Sequence, residues 1–220
     1  MKLVLASESP RRQEILSWLG LPYEVQPSET AESLLPGELP HRVAWRIALE
    51  KATTVGQTRE PGTLVLAADT IVVLDGAILG KPEDADEARG MLRELRGREH
   101  VVITGVALQR AGQPVEPTPT ASTTTVRMRS YSDQEIDRYV ASGDPMDKAG
   151  AYAIQHVDFA PVAAIKGCYL NVVGLPLCLV GGLLHRYGVS NRGDKICRDV
   201  VGHDVAAPRR HPDGDPGRGK

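Results

Sequence analysis

The chain has few cysteines, and their arrangement limits the classes of protein to which it can belong. Its 220 residues include three, Cys168, Cys178 and Cys197. An odd and sparse set argues against a secreted scaffold held by disulfides. None of them forms a Cys-x-x-Cys pair, which argues against a zinc site. Because Cys168 and Cys178 stand in apolar surroundings, we expect small core residues here and not nucleophiles.

The chain also lacks a long apolar run and an excess of one charge. Its longest apolar stretch, residues 170–184, is interrupted by Gly174, Pro176, Gly181 and Gly182, whereas a membrane-spanning helix needs about 20 apolar residues. The formal net charge of −2 argues against a nucleic-acid polymer or a membrane surface as partner. The first residues lead directly into a strand and a polar loop, with no secretory signal. We therefore expect a globular cytoplasmic protein.

Several widespread catalytic motifs are missing. The sequence has no Gly-x-x-x-x-Gly-Lys-Ser/Thr loop, no Gly-x-Gly-x-x-Gly fingerprint and no His-x-x-x-His pair. It supports no Ser-His-Asp arrangement.

Patterns typical of strands and helices alternate without strict strand–helix–strand repetition. This predicts an α/β fold with a mixed β-sheet flanked by helices. Asp75-Gly76 is a strong hairpin signal between predicted strands at residues 63–74 and 77–79. Ser132 and Glu135 form a predicted capping box. The other main predictions are helices over residues 41–56 and 84–96 and strands over residues 101–109 and 120–129.

Periodicity fades from about Ser190. Residues 207–220 are rich in proline, glycine and charge, a composition that cannot bury a core. We expect one folded domain over residues 1–188 and a disordered C-terminal extension over residues 189–220.

The first twenty residues suggest an anion site. Ser9 suits a helix N-cap and Pro10 the first helical turn. Arg11 and Arg12 then lie at the positive end of the helix dipole, where cations are disfavoured unless an anion docks there. Phosphate binding and two solvated arginines remain equally acceptable interpretations of this segment.

Asp69 is the second feature of interest, because it interrupts a run that is otherwise apolar on both faces. A buried carboxylate needs a partner. A metal ion, a water to be deprotonated or a basic side chain would each serve, and so would backbone N–H groups in a purely structural role. Gly80-Lys81-Pro82 follows the predicted hairpin and holds a stiff lysine that could point at a phosphate.

Two later segments carry weaker signals. Residues 146–155 mix small residues with Asp, Lys and Gln, which suits a loop beside a ligand, although a tight turn entering a strand explains the spacing better. Residues 165–177 have the pattern of a loop, a strand and a helix start, and we expect them to shape the fold.

Taken in order, these segments resemble the Maf family of nucleoside triphosphate pyrophosphatases over roughly residues 1–188. The matching stretches are LVLASESPRRQEIL, RIALEKA, AADTIVVLDGAILGKPEDADEARGMLRELRGREH, TGVAL, DKAGAYAIQ and GCYLNVVGLPL. The resemblance implies a two-lobed α/β fold with a central cleft, of the kind shared with inosine triphosphate pyrophosphatases. It also implies cleavage of a nucleoside triphosphate between the α and β phosphates with a divalent metal, Mg²⁺ or Mn²⁺.

The resemblance further assigns roles by position. Asp69 would be the catalytic base or a metal ligand, with Glu32 and Glu38 as further acidic candidates for the metal. Phosphates would be bound by the segment of Ser9 and by four cations, Arg11, Arg12, Lys51 and Lys81.

Base choice would involve Arg11, Thr70 and Gln155. The DKAGAY…IQ pattern is similar to the branch that acts on dTTP and UTP, although Ala153, His156 and residues 157–161 differ from the glycine-rich pattern usual there. A homodimer is the default assembly. A nucleotide-binding regulator of septum formation without turnover, and a phosphatase that releases single phosphates, are the alternatives.

Overall fold

The structure, a computed structural model, describes residues 2–114, 120–200 and 204–205. Within these residues the strands are β1 (Leu3–Leu5), β2 (Glu24–Val25), β3 (Leu64–Leu74), β4 (Ala77–Leu79), β5 (Glu99–Arg110), β6 (Ala121–Met128), β7 (Val162–Lys166) and β8 (Asp204–Val205). The α-helices of the same residues are α1 (Pro10–Ser17), α2 (Pro40–Gly56), α3 (Ala85–Leu95), α4 (Asp133–Ala141), α5 (Tyr169–Val173), α6 (Leu177–Arg186) and α7 (Gly193–Val200). Two short 3-10 helices, Asp144–Asp147 and Ala149–Ala151, follow α4.

The strands form one mixed sheet in the order β2-β1-β3-β5-β6-β7-β8, with β4 paired to β3. β1 is parallel to β2 and β3, and the remaining pairs are antiparallel. This confirms the predicted α/β class and the mixed sheet. The long β3–β5 pair is the centre of the sheet and carries Asp69 and Thr70.

Local signals in the sequence account for several boundaries. The Asp75-Gly76 turn joins β3 to β4, and both residues take positive φ. Ser132 and Glu135 form the predicted capping box at the start of α4. Asp84 caps α3 by accepting from the backbone N–H groups of Asp86 and Glu87. Ser9 occupies the N-cap of α1, but its side chain makes no capping hydrogen bond.

Two clusters of buried side chains divide the molecule into two lobes. One includes Leu5, Leu16 and Leu184, and joins the sheet to α1, α6 and α7. The other includes Leu92 and Ile136, and joins the sheet to α3 and α4. Helix α2 packs on the opposite face of β3 and β5 through smaller clusters.

Two predictions for the C-terminal third are wrong. Residues 165–177 do not run loop, strand and helix, because β7 ends at Lys166 and the helix α5 follows. Disorder from residue 189 onward is contradicted by α7, whose Cys197 and Val200 are buried in the first cluster. These few apolar positions suffice because α6 supplies the surface on which they pack. The predicted tail over residues 207–220 lies outside the described residues.

None of the helices in the described part of the chain combines the length and the apolar character that crossing a bilayer requires.

Candidate active site

A gap along one edge of β3 creates the site. On that edge β1 pairs with β3 as far as Leu66, and β4 pairs with it from Val72 onward. Among the described residues, the intervening stretch around Asp69 and Thr70 has no strand on that side. A cavity of about 730 Å³ opens there between the two lobes. Its size is typical of small-molecule sites.

Lys51 of α2 fixes two carboxylates in this cavity. Its Nζ donates to Oδ1 of Asp69 at 2.7 Å and to Oε1 of Glu32 at 2.6 Å. Lys81 approaches Oε2 of the same Glu32 at 3.7 Å. Lys51 and Asp69 are 7% and 6% exposed, so the charges are withheld from water and must neutralise one another.

A glycine allows α2 to come close enough for this contact. Gly105 of β5 stands opposite Asp69 in the sheet. A Cβ atom at this position would lie 2.3 Å from the backbone of Ala44 in α2. Any larger residue would push the helix away from the strand and would lengthen the reach from Lys51 to Asp69.

The charges around Glu32 alter its titration. Burial raises the pKa of Glu32, but the hydrogen bond and charge of Lys51, together with the charges of Lys81 and Arg12, hold the pKa below its ordinary value. Glu32, whose side chain is 43% exposed, therefore stays ionised at neutral pH.

Arg12 of α1 is held in a fixed orientation near Asp69. Its guanidinium donates to the carbonyl of Gly174 at 3.0 Å, to Oγ1 of Thr70 at 3.2 Å and to Oγ of Ser7 at 3.3 Å. Burial lowers the pKa of Arg12, and the charges of Asp69 and Glu32 oppose that effect. An arginine keeps its proton even so, and it therefore places a permanent positive charge beside the carboxylates.

Thr70 connects this arginine to the interior. Its hydroxyl lies 2.9 Å from that of Thr104, which donates to the carbonyl of Asn171 at 2.8 Å. Since the Thr104 proton is used in that bond, Thr70 donates to Thr104 and accepts from Arg12. Such a directional chain fixes the hydroxyl of Thr70 at the cavity wall.

The opposite wall is the segment that follows α4. Asp147 lies 3.5 Å from Nη2 of Arg11. Lys148 bonds Asp147 at 2.6 Å, Asp144 at 3.0 Å and the Asp144 carbonyl. The backbone N–H of Gly150 donates to the carbonyl of Gly80 at 3.0 Å, which joins this segment to the loop of Lys81.

The structure brings together nearly all of the residues that the sequence singled out. The cavity lining contains Ser9, Arg11, Arg12, Glu32, Lys51, Asp69, Thr70, Lys81 and Gln155. Glu38 is the exception. Both of its carboxylate oxygens accept from Arg46, at 2.8–3.0 Å, and the lining does not include it. The structure therefore places Glu38 outside the cavity, and the prediction that it could bind the metal there is wrong.

Sequence analysis missed Ser7, Asp147 and Lys148 as individual site residues. Ser7 is 8% and Lys148 7% exposed, and both line the cavity with Asp147. The available signal was the pair of charges within small residues at 147–151, which a tight turn does not require. Of the two interpretations of this segment, the tight turn that the spacing favoured and the loop beside a ligand, the cavity lining supports the second.

Comparison with known proteins adds independent information. A family model described as "Maf-like protein" matches residues 2–187. The chain belongs to the Maf family. The Maf match ends just after α6, so that α7 lies beyond it.

Curated relatives are similar over a comparable length of the chain and carry the name dTTP/UTP pyrophosphatase. The protein of Thermomicrobium roseum is 52% identical over 86% of this chain and 85% of its own length. Those of Anaeromyxobacter dehalogenans strain 2CP-1 and Syntrophomonas wolfei are each 50% identical, over 85% and 84% of this chain and 94% and 97% of their own lengths. Among solved structures, a HAM1 protein from Coxiella burnetii matches with a TM-score of 0.39 and 21% identity, over 58% of this chain and 73% of its own.

Proposed function

We propose that this Maf protein hydrolyses dTTP and UTP to the nucleoside monophosphate and pyrophosphate. The observation that carries the proposal is Asp69, a buried carboxylate bound by Lys51 at an open strand edge and surrounded by Arg11, Arg12 and Lys81. This arrangement provides a base and several cations in one cavity. The names of the relatives support the same substrates.

The residues present fit a divalent cation. Asp69 and Glu32 bond the same ammonium group, so their carboxylates lie on one side of the cavity. Carboxylate oxygens are the ligands that Mg²⁺ and Mn²⁺ prefer. When bound, such an ion neutralises phosphate charge and favours ionisation of a bound water.

The chain's own residues account for the remaining requirements. Asp69 accepts a proton from the attacking water, whose oxygen bonds to the α-phosphorus while the bond to the bridging oxygen breaks. The β and γ phosphates leave together as pyrophosphate. Lys51 orients Asp69, and Arg11, Arg12 and Lys81 offer charge-assisted hydrogen bonds to the phosphates. Because Arg12 is already fixed by Thr70 and Gly174, little reorganisation accompanies the reaction.

Recognition of the base is assigned to three residues of the same cavity lining, Gln155, Thr70 and Arg11. Gln155 offers an amide that can donate and accept at once, as the edge of a pyrimidine requires. Thr70 and Arg11 complete the set. Location in the cytoplasm and assembly as a homodimer stay predictions from the sequence.

The test is a panel of nucleoside triphosphates with Mg²⁺ or Mn²⁺, in which pyrophosphate and orthophosphate are measured separately. We expect pyrophosphate from dTTP and UTP and little from purine triphosphates. Pyrophosphate from purines alone would retain the reaction and contradict the substrate. Orthophosphate would indicate a phosphatase, and bound nucleotide without any product would indicate a regulator.

A further inference from the structure

The three cysteines, which are far apart in sequence, meet in the folded chain. Cys168 precedes α5, Cys178 lies in the first turn of α6 and Cys197 lies in α7. Their sulfur atoms all lie within 4.8 Å of one another. All three are free thiols. Spacing along the chain gave no sign of this cluster, because each cysteine comes from a different element.

The position of α7 is fixed by close contacts with α6. The side-chain amide of Asn191 donates to the carbonyl of Gly181 at 3.0 Å, and its Oδ1 accepts from the backbone of Gly193 at 2.9 Å. A Cβ atom at Gly193 would lie 2.2 Å from the carbonyl of Leu177. The chain thus tolerates only glycine here, and α7 lies directly against the first turn of α6.

This packing places Cys197 over the backbone of α6. Cys197 is 6% exposed, and its Sγ accepts a hydrogen bond from the backbone N–H of Cys178 at 3.0 Å. A backbone N–H directed at sulfur stabilises negative charge on that sulfur. The neighbouring thiols of Cys168 and Cys178 and burial raise the pKa of the Cys197 thiol in the chain without an ion, so a thiolate here needs the charge of a bound cation in addition to this N–H.

The separation of two of the sulfurs matches that of metal ligands. Sγ of Cys168 and Sγ of Cys197 are 3.8 Å apart. A disulfide needs about 2.05 Å. Two thiolates on one tetrahedral ion with metal–sulfur bonds of about 2.3 Å lie about 3.8 Å apart.

We propose that Cys168, Cys178 and Cys197 bind one Zn²⁺ ion as three thiolates. Soft sulfur ligands select zinc over magnesium and manganese, so this site is chemically distinct from the carboxylates at Asp69. Cys168 and Cys178 are partly exposed, which gives the ion an entry path and leaves a fourth position for water. Binding releases the thiol protons to solvent. The ion would join α7, which lies beyond the Maf match, to the helices that precede it. The proposal does not depend on the proposed function.

The first test is a titration of the reduced full-length protein with Co²⁺, used as a spectroscopic substitute for zinc. We expect one equivalent to bind with an intense thiolate-to-cobalt absorption in the near ultraviolet, and Zn²⁺ to displace it. No such absorption in the presence of excess Co²⁺ would overturn the proposal, and so would retention of the absorption after one equivalent of Zn²⁺.

Matched variants locate the ion. Cys197→Ser and Cys178→Ser should each weaken Co²⁺ binding at least about 10-fold, because each removes a direct ligand. Ile196→Ala changes the same helix without removing a sulfur, and Asp69→Asn removes a carboxylate of the other site. Both should retain the absorption. A thiolate signal that survives in both Cys→Ser variants would contradict the assignment.

Thermal unfolding supplies a second measurement, which uses Zn²⁺ itself and does not depend on the absorption of Co²⁺. When the free Zn²⁺ concentration is about 100 times the Kd, binding to the folded chain should raise the Tm by about 5 to 10 °C. The rise should disappear with a chelator and in Cys197→Ser, but persist in Ile196→Ala. An equal rise in wild type and Cys197→Ser would place the zinc elsewhere and overturn the proposal.

Discussion

Two lysines on opposite walls of the cavity each hold two carboxylates, but they do so in different ways. Lys51 and Lys148 are both 7% exposed. The partners of Lys51 are Asp69 and Glu32, which lie 18 and 19 positions away in sequence. Those of Lys148 are Asp144 and Asp147, which lie 4 and 1 positions away.

The cluster of Lys51 therefore depends on the tertiary fold, whereas the ion pairs of Lys148 form within a single loop. Lys51 and Asp69 belong to the longest helix and the long central strand, α2 and β3, so their geometry is as rigid as the core. The ion pairs of Lys148 stabilise the 3-10 turns that carry them, and Asp147 is exposed. We therefore expect chemistry to depend on the Lys51 cluster and substrate binding to depend on the Lys148 segment.

The largest effect is expected for Asp69→Asn. The amide keeps the shape of the side chain but cannot accept the proton of water, so kcat for pyrophosphate release should fall by about 10³-fold. The variant should remain folded by circular dichroism, because Lys51 keeps Glu32 as a partner. Asp75→Asn, in the exposed turn after the same strand, is the matched control and should keep its activity. An Asp69→Asn enzyme with kcat near that of wild type would remove Asp69 from the mechanism.

Lys51→Met should have the next largest effect. Loss of one fixed cation from a site of this kind costs about 10²-fold in kcat. The pKa of Glu32 should rise, since the lowering depends chiefly on Lys51 and burial acts in the opposite direction. The acid limb of the pH–rate profile should therefore move to higher pH.

Lys51→Arg retains the charge and should recover part of the rate. Equal activity in the Met and Arg variants would show that the charge of Lys51 is not what the reaction uses.

Much of the fold follows from local features of the sequence. The turn at Asp75-Gly76, the capping box at Ser132 and the apolar repeat of α2 each specify a structure within a few residues. Asp69 was recognisable from sequence because a carboxylate in an otherwise apolar strand is costly to bury without a partner. The partner of Asp69 was not predicted, because the sequence left several kinds of partner open and the family resemblance placed Lys51 only among the phosphate contacts.

Features that depend on distant segments were not predictable. The gap in the edge of β3 exists only because β1 ends beside Leu66 and β4 begins beside Val72. The ion pair of Glu38 with Arg46, which engages both carboxylate oxygens, is another contact that the sequence did not predict. The helix α7 has too few apolar positions to predict a helix without the surface of α6.

A smaller effect, on binding, is expected for Lys148→Met. Its ion pairs are local and partly exposed, and pairs of this kind contribute about 1 kcal/mol or less. Loss of the constraint on Asp147 and Arg11 should raise KM for dTTP by up to about fivefold and leave kcat nearly unchanged. Lys166→Met, an exposed lysine on β7 outside the cavity lining, is the control. A fall in kcat as large as that of Lys51→Met would erase the distinction between the two lysines.

The smallest effect on activity at neutral pH is expected at His100, a buried residue beneath the Lys148 wall. Its Nε2 lies 2.7 Å from the hydroxyl of Tyr152, which lines the cavity. Its Nδ1 has no hydrogen-bond partner among the described residues. Burial lowers the pKa of His100 from 6.5 to about 4.

Unfolded chains therefore bind a proton at this histidine between pH 6.5 and about 4 while folded chains do not, and stability falls as the pH falls through that interval. The two pKa values correspond to a loss of about 3 kcal/mol at pH 4. Between pH 7 and 4, the free energy of unfolding of His100→Gln should fall by about 3 kcal/mol less than that of wild type. Urea unfolding at each pH measures the difference. His185→Gln, at an exposed position, should follow the wild-type curve. Parallel curves for wild type and His100→Gln would mean that this histidine has the same pKa in the folded and the unfolded chain, and its burial beneath the Lys148 wall would then add no sensitivity to acid.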